Sequence, residues 1–398
     1  MINKKKIITF IVFLVICFAK LSLASCVNAD NLNTGVILAD DQGEIIYSKN
    51  LEKQFIPASI LKILTSLAAI DILGENYHFP TQYLFDNSSH NLYIKGFGDP
   101  LFISEVIEKL CNEIILKTHV KHINNIITDH TYFAEQVKIP GRGSSLNPYD
   151  ASCGALSANF NTINFRWDSQ KKKFVSGEPQ TPMLSIFYKN IQDTGLNHGR
   201  IILSKQQSLF YPGLLIKYFL EQQHHIKVKG SIVFDNFDAK DKKIYSFQSP
   251  FKLTEIVQKL LKFSNNFIAN QLLLVIGAKT FGEPATVEKG LKALNSFSKQ
   301  NLNLKNITIH EGSGISRSNR ITPDQMLKIL LKFMPYHSLL KRSGSDFYKT
   351  GTLSDVRTRA GYILGGGNRL YPYVIMVNQE GKGYDSILSD LIDRVVDH

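Results

Sequence analysis

The two ends of this chain carry matching patterns, and these constrain the fold more than any other feature of the sequence. Near the N-terminus, alternating apolar runs around a Gly-containing turn predict a β-hairpin over residues 33–48. Apolar residues then recur at helical spacing over Ile60–Leu73. Near the C-terminus, successive strand-like runs over residues 349–378 precede an amphipathic helix at Asp385–Val396. Strands and helices at both termini predict one α/β (α+β) domain built from the two ends of the chain.

The middle of the chain has a different pattern of predicted elements. Short strand-like runs alternate there with two helical patterns, Ile103–Lys117 and Leu214–Gln223. A length of 398 residues suits two or three domains of roughly 100–200 residues each. We therefore expect a discontinuous domain formed by residues 30–79 and 245–398, with residues 80–244 as a large inserted domain or domains.

The first residues have the composition of a secretory signal. A basic segment at Met1–Lys6 precedes an apolar run at Ile7–Ala19, which is too short for the roughly 20 residues of a membrane span. We predict a signal peptide over residues 1–25 and an exported, periplasmic or cell-envelope protein. Two cleavage sites fit. The lipobox Leu23–Cys26 would leave a lipidated Cys26 as a membrane anchor, and an ordinary site would be cut after Ala29.

Composition excludes several classes of protein. Apolar residues make up 43% and charged residues 20%, which excludes a wholly disordered chain and is too polar for a multi-span membrane protein. The net charge of +12 suits an anionic partner such as nucleic acid, an acidic membrane or a bacterial wall. No CxxC or HExxH occurs, so we predict no metal and no cofactor. Cys111 and Cys153 would either pair in an oxidising compartment or stay as two single buried thiols.

Ser59 and Lys62 form an S-x-x-K pattern at the start of the first apolar helix. Positions i and i+3 of a helix lie on one face, roughly 5–6 Å apart at Cβ, so the lysine can sit against the serine hydroxyl. A desolvated lysine loses its proton more readily and can then act as a base on that hydroxyl. The pattern is weak alone, because a helix-capping serine and a solvated lysine would give the same letters.

Two further patterns follow in order. Ser264 and Asn266 form S-x-N where a long helical stretch is interrupted, and a polar kink would be the plain interpretation. Lys349, Thr350 and Gly351 form K-T-G on a predicted strand, where lysine supplies a positive charge, threonine can donate to a carboxylate and glycine lets a ligand approach the strand edge. The set S-x-x-K, S-x-N and K-T-G is that of serine β-lactamases and penicillin-binding proteins.

The sequence resembles the class C low-molecular-mass penicillin-binding proteins, peptidase family S13, which are D-alanyl-D-alanine carboxypeptidases/endopeptidases. The resemblance extends beyond the three patterns. It rests on the segments PASILKILTSLAAI, LYIKGFGDP, GALSANFNTINF, HEGSGISRSNRITP and YKTGTL. It implies a penicillin-binding/β-lactamase-like transpeptidase domain with an antiparallel sheet flanked by helices, plus the inserted region. It also implies peptidoglycan stem peptides and β-lactam antibiotics as partners rather than nucleic acid.

The resemblance also assigns roles. Ser59 would be the acylated nucleophile, Lys62 its general base and Ser264 the proton relay to the leaving group. The substrate amide would be held by Asn266. The terminal carboxylate would be bound by Lys349 and Thr350 beside Gly351, and the N–H groups of Ser59 and Thr352 would form the oxyanion hole. Arg317 would lie near the pocket for the substrate side chain, with a surface ion pair as the alternative.

The sequence differs from the family's usual pattern at several positions, and other functions stay open. The family's Trp-rich acidic segment is replaced by GRGSSLNPYD, whose Asp150 is a weak substitute, and Glu311 stands where the family usually has aspartate. The sequence does not distinguish carboxypeptidase from endopeptidase activity. A serine β-lactamase, or a catalytically weak wall-binding receptor on the same fold, are the alternative functions. Burial and the charge of Lys349 should both lower the pKa of Lys62, so acylation is expected to rise with pH along a single ionisation.

Overall fold

The computed structural model describes residues 33–143, 151–237 and 242–396, in which we number sixteen strands and nine α-helices. The strands β1 to β16 are Thr34–Ala39, Ile45–Lys49, His78–Asp86, Asn91–Gly96, His122–Ile123, Ile126–Asp129, Thr162–Asp168, Lys173–Ser176, His198–Ile202, Lys227–Val228, Ile232–Phe234, Tyr245–Lys252, Lys341–Ser343, Asp346–Leu353, Val356–Leu364 and Leu370–Val377. The helices α1 to α9 are Lys62–Leu73, Ser104–Thr118, Tyr188–Gln192, Lys205–His224, Leu253–Phe263, Asn266–Phe281, Val287–Leu302, Pro323–Phe333 and Asp385–Val396.

The two ends of the chain meet in one six-stranded sheet with the order β13-β14-β15-β16-β1-β2. All neighbours in it are antiparallel, and β1 from the N-terminal end pairs with β16 from the C-terminal end, Gly35 opposite Met376. The predicted antiparallel sheet is therefore confirmed. The predicted hairpin at residues 33–48 corresponds to β1 and β2.

Helix α1 lies in the main hydrophobic core, beside α5, α6 and α8. Its residues from Lys62 to Ile70 are all buried, so the helix is enclosed around its whole circumference, as expected for a central helix, and the polar Lys62, Thr65 and Ser66 are buried with it. A short 3₁₀ turn at Ala58–Leu61 leads into it. This turn contacts β14 and β15 and so places the start of α1 against the sheet.

The middle of the chain forms separate sheets over a second hydrophobic core. A five-stranded sheet has the order β11-β6-β4-β3-β12, and a three-stranded antiparallel sheet has the order β8-β7-β9. Strand β3 pairs with β12, so the chain leaves and re-enters this region on adjacent strands. The predicted boundary after residue 244 falls just before β12, which shares its sheet with the predicted insertion. The division into domains itself stays a prediction.

Two other features bear on the sequence-based expectations. Cys111 and Cys153 are free thiols, so of the two alternatives the structure shows single cysteines, Cys111 buried and Cys153 half-buried. Burial raises the pKa of Cys153 to about 12 and raises that of Cys111 further. Within the described ranges, no helix is both long and apolar enough to cross a membrane.

Candidate active site

Ser59 and Lys62 lie side by side at the entry to helix α1. The Nζ of Lys62 donates to the Oγ of Ser59 over 2.8 Å and to the carbonyl oxygen of Ser313 over 2.6 Å. Lys62 is wholly buried, whereas Ser59 is half-buried and can be reached from outside. The i, i+3 spacing on one turn therefore produces the close pair that the sequence predicted.

The loop that carries Ser313 is held by one buried carboxylate, Glu311. Its two oxygens accept hydrogen bonds from the backbone N–H groups of Ser313 and Gly314, both at 2.7 Å, and from the hydroxyl of Ser313 at 2.6 Å. The side-chain amides of Asn319 and Asn270 donate to it at 2.9 and 3.3 Å. This network fixes the loop, and with it the Ser313 carbonyl that faces Lys62.

The backbone just before the nucleophile is tightly enclosed. Ala58 has a φ of 49°, a left-handed conformation that is uncommon for residues other than glycine. Gly314 packs against the Ala58 carbonyl so closely that any Cβ would clash with it, and a Cβ on Gly351 would lie 2.8 Å from the Ser59 nitrogen. Both glycines are therefore required, and the strand that carries Gly351 lies directly beside the Ser59 N–H.

A second serine–lysine pair faces the first. The Nζ of Lys349, on β14, donates to the Oγ of Ser264 over 2.8 Å and to the carbonyl oxygen of Thr350 over 2.6 Å. Ser264 ends α5 in a left-handed conformation with a φ of 54°, and α6 starts two residues later at Asn266. The polar break seen in the sequence is thus a true helix boundary, and it presents the Ser264 hydroxyl to Lys349.

Burial shifts the acidity of both lysines. Desolvation lowers the pKa of Lys62 well below its usual value, the charge of Lys349 lowers it further, and the Glu311 carboxylate opposes both effects. Desolvation, helped by the charge of Lys341, lowers the pKa of Lys349 to about 7. Two buried ammonium groups near each other disfavour double protonation, so a neutral amine is available for base chemistry near neutral pH.

The remaining predicted residues line the same region. Thr350 is half-buried and Thr352 exposed on the stretch of β14 beyond its pairing with β13, and Asn266 borders a small crevice with Asn270 and Ile315. Arg317 is half-exposed and forms an ion pair with Asp355 at 2.5 Å. The ion pair considered for Arg317 is thus present, and its role toward a substrate stays a prediction.

Some expectations fall elsewhere. Asp150, Cys26 and the predicted signal peptide lie outside the described residues. Among the residues that the structure does describe, no group of three or more His, Cys, Asp or Glu side chains is arranged to hold a metal ion.

Sequence reasoning missed three contributors. The Ser313 carbonyl is a backbone atom 251 positions from Lys62, so no side-chain pattern marks it. Thr358 donates to the carbonyl oxygen of Pro57 over 2.7 Å and supports the approach to the nucleophile. Asn270 accepts from the Gly312 N–H over 2.8 Å, and its position one turn after Asn266 was a usable signal.

Related proteins carry the same architecture. The solved penicillin-binding protein 4 (dacB) from Haemophilus influenzae superimposes with a TM-score of 0.74 at 20% identity, over 91% of this chain and 95% of that one. A predatory peptidoglycan endopeptidase from Bdellovibrio bacteriovorus does so with a TM-score of 0.55 at 18% identity, over 91% and 92%. These likenesses establish the penicillin-binding fold with its additional domain.

Sequence comparison agrees. A D-alanyl-D-alanine carboxypeptidase from Actinomadura sp. (strain R39) is 23% identical over 75% of this chain, and the match spans 64% of that relative, less than two thirds of its length. The D-alanyl-D-alanine carboxypeptidase DacB from Haemophilus influenzae is 22% identical over 76% of this chain and 69% of its own length. A sequence profile of D-Ala-D-Ala carboxypeptidase 3 (S13) matches residues 20–200 and 200–343. The chain therefore belongs to the D-Ala-D-Ala carboxypeptidase 3 (S13) family.

Proposed function

We propose that the protein is a serine acyl-enzyme peptidase that cleaves the D-Ala-D-Ala bond, or the D-Ala–diaminopimelate cross-link, of peptidoglycan peptides. The observation that carries this proposal is the 2.8 Å contact between the reachable Ser59 hydroxyl and the wholly buried Lys62 amine. Burial destabilises the charged form of a lysine, so the side chain loses its proton more readily. Groups perturbed in this way are found mainly at active sites, where the neutral amine can act as a base.

Acylation starts when the neutral Lys62 amine takes the Ser59 proton. The amine keeps a hydrogen bond to the Ser313 carbonyl, which leaves its lone pair for the hydroxyl hydrogen. The Ser59 oxygen then forms a bond to the carbonyl carbon of the penultimate D-alanine. The resulting oxyanion would lie by the N–H groups of Ser59 and Thr352, since Gly351 brings that strand against Ser59.

Collapse of this intermediate breaks the carbon–nitrogen bond. The Ser264 hydroxyl would give its proton to the departing nitrogen and be reprotonated by Lys349, which is already hydrogen-bonded to it. The Lys62 ammonium, which holds the Ser59 proton, would pass one proton through solvent to the neutral Lys349 amine, so that Lys62 is neutral again and Lys349 is charged again. Water would then attack the acyl-enzyme and give up one proton to the Lys62 amine, which passes it on to the Ser59 oxygen. Ser59 recovers its hydrogen as the peptide acid leaves. No group beyond the protein and water is required.

Substrate binding would use the edge of the six-stranded sheet. The stretch Lys349–Leu353 of β14 pairs with β15 on one side, and no described strand pairs with it on the other. An extended peptide can add there as a further strand. Lys349 and Thr350 would bind the terminal carboxylate, and Asn266 the amide on the acyl side. Arg317, if released from Asp355, would reach the substrate side chain.

β-Lactams would acylate the same serine, because they present a strained carbonyl with a nearby carboxylate. A solved complex of the Haemophilus influenzae protein contains a β-lactam, and the Bdellovibrio endopeptidase has been solved acylated by penicillin G. Cleavage of peptidoglycan would require a location in the cell envelope, which fits the predicted export signal, whether Cys26 is lipidated or the signal peptide is cut after Ala29.

A serine β-lactamase needs a base that drives fast deacylation, such as a glutamate that acts through water. Glu311 is the buried carboxylate of this site, and both of its oxygens already accept protein hydrogen bonds. The arrangement therefore favours slow hydrolysis of the acyl-enzyme. A receptor without chemistry would not need two buried lysines that each contact a serine.

Fluorescent penicillin tests the proposal on the purified protein. We expect stable labelling of the wild type, no labelling of Ser59→Ala and unchanged labelling of Ser318→Ala, an exposed serine in the neighbouring loop that serves as control. Transient labelling with rapid antibiotic turnover would indicate the β-lactamase. A folded wild type that takes no label would indicate the receptor.

A further inference from the structure

The backbone that leads into Ser59 is held by groups from distant parts of the chain. We name residues 55–58 the entry segment. At its start, Phe55 exchanges both backbone hydrogen bonds with Ile321, at 2.9 and 3.0 Å. Pro57 has no N–H and a φ fixed by its ring, so the carbonyl is its one polar backbone group. The rest of the segment therefore takes its polar contacts from side chains.

Two side chains from the C-terminal strands supply these contacts. Asn378, just after β16, accepts from the N–H of Ile56 over 2.7 Å and donates to the Ile56 carbonyl over 3.2 Å. Thr358, wholly buried on β15, donates to the Pro57 carbonyl over 2.7 Å. Gly351 lies opposite Thr358 on β14, and a Cβ there would clash with the Thr358 hydroxyl. The contacts thus join the entry segment to the six-stranded sheet.

These contacts fix the orientation of successive peptide planes. The Pro57 carbonyl belongs to the plane that precedes Ala58, and the N–H of Ser59 belongs to the plane that follows it. The two planes are related by the backbone conformation of Ala58, which is left-handed with a φ of 49°. A residue with a Cβ disfavours this conformation, so an unheld Ala58 would relax toward a commoner one. That relaxation would turn the Ser59 N–H away from the strand that carries Gly351.

We propose that Thr358 and Asn378 are positioning residues for the nucleophile. By holding the entry segment they keep Ala58 left-handed, and so keep the Ser59 N–H directed at the proposed oxyanion hole. The inference rests on the proposed function of Ser59. An oxyanion-hole donor must lie within about 2.7–3.1 Å of the developing charge, so a small rotation weakens its effect. The two side chains would therefore act on the rate of acylation and not on the binding of the substrate.

Thr358 should have the larger effect of the two. The carbonyl it holds belongs to the peptide bond directly before Ala58, whereas Asn378 holds Ile56 one residue earlier. The backbone hydrogen bonds of Phe55 would still restrain that earlier part of the segment without Asn378.

Isosteric variants of the full purified chain test the inference. Thr358→Val keeps the shape and removes the hydroxyl that holds the Pro57 carbonyl, and Thr358→Ser restores the hydroxyl. Tyr362→Phe is the matched control, because Tyr362 lies on the same strand, is wholly buried and donates to the backbone carbonyl of Leu330 over 2.6 Å. Asn378→Ala removes the second contact. Stopped-flow acylation gives the maximal rate and the penicillin concentration at half of that rate, and urea titration shows which variants fold.

We expect Thr358→Val to lower the maximal acylation rate about 10–100-fold, since a misplacement near 1 Å at a reacting group costs up to about 100-fold. Asn378→Ala should lower it about threefold to tenfold, and Thr358→Ser and Tyr362→Phe should stay within about threefold. The penicillin concentration at half of the maximal rate should stay within about twofold in all four variants.

A wild-type maximal rate in folded Thr358→Val would overturn the inference, as would the same result in folded Asn378→Ala if Thr358→Val does not fold. An equal loss in Tyr362→Phe would overturn it too, because the effect would then belong to any buried hydrogen bond of the sheet. So would a loss that appears only in the penicillin concentration at half of the maximal rate. A folded wild type that takes no penicillin would overturn the proposed function, and this inference with it.

Discussion

The active site contains two serine–lysine pairs with the same contact distance and different surroundings. In each pair a lysine Nζ lies 2.8 Å from a serine Oγ and also donates to a backbone carbonyl at 2.6 Å. Lys62 is enclosed by α1 and the Glu311 loop, and its serine follows a left-handed residue. Lys349 lies on a strand near an open sheet edge, and its serine closes a helix.

This difference separates the roles of two otherwise equal pairs. Only Ser59 has a backbone N–H beside the strand that would complete an oxyanion hole, so it is the serine placed to form a stable acyl bond. Lys349 lies at the strand edge where a peptide carboxylate would be bound, so its positive charge would attract that carboxylate. The role of each pair therefore follows from the groups that surround it and not from the distance between its serine and its lysine.

The largest effect is expected from the Lys62 pair. Lys62→Ala removes the base and should slow penicillin acylation by about 10²–10⁴-fold, the usual worth of general-base catalysis. Lys349→Ala removes a charged contact and should cost roughly 10–100-fold, mainly in substrate binding. Stopped-flow acylation at several penicillin concentrations separates the two. Equal losses in the maximal acylation rate would contradict the division of roles.

The pH profile of acylation distinguishes the lysines next. Acylation needs neutral Lys62 and charged Lys349, and the pKa of Lys349 is lowered to about 7. We therefore expect a rise with pH followed by a fall above neutrality, instead of the single ionisation that the sequence alone suggested. In Lys349→Ala the falling part should disappear. A wild-type rate that keeps rising into the alkaline range would show that Lys349 stays charged or that its charge is not used.

The burial of Lys349 should also be visible in stability. The unfolded side chain holds its proton up to about pH 10.4, whereas the folded one loses it near a pKa of about 7. Between these values the unfolded state binds more protons, so this group makes the free energy of unfolding rise with pH. Lys349→Met should raise the free energy of unfolding at pH 7 by about 2–4 kcal/mol, and by less at pH 9. Urea titrations at both pH values measure the difference in unfolding free energy between the variant and the wild type. A difference that does not depend on pH would contradict the lowered pKa of buried Lys349.

The smallest expected effect concerns Glu311. Its carboxylate raises the pKa of Lys62, so Glu311→Gln should move the rising part of the acylation profile to lower pH. The amide also loses acceptor capacity toward Ser313 and Gly314, so the maximal rate should fall. Glu311→Asp keeps the charge and should keep the wild-type position of the rise. If Glu311→Gln lowers the maximal rate but does not shift the rising part of the profile, the role of Glu311 is purely structural.

Much of the fold was readable from local patterns, and the failures have physical causes. The apolar period of α1 and the strands near the C-terminus were predicted within a few residues, because one face or the whole element is buried. Helix α4 was predicted only over Leu214–Gln223 but starts at Lys205. Its first four residues, Lys205 to Ser208, are polar, and Pro212 and Gly213 follow inside the helix, so the apolar period is hidden there. The capping box of Ser204 and Gln207 marks the true start.

The site was less predictable than its motifs suggest. Sequence patterns named the side chains that meet, yet they did not show which neighbour sets the acidity of each lysine. The Ser313 carbonyl, the left-handed Ala58 and the network around Glu311 depend on contacts between segments far apart in the chain.

The central claim is that, of the two serines paired with buried lysines, Ser59 is the nucleophile. The most direct test is to trap the purified wild-type protein with penicillin, digest it and locate the adduct by mass spectrometry. The account predicts one penicilloyl group per chain on the peptide that carries Ser59. An adduct on the peptide that carries Ser264, or on neither peptide in a folded protein, would contradict it.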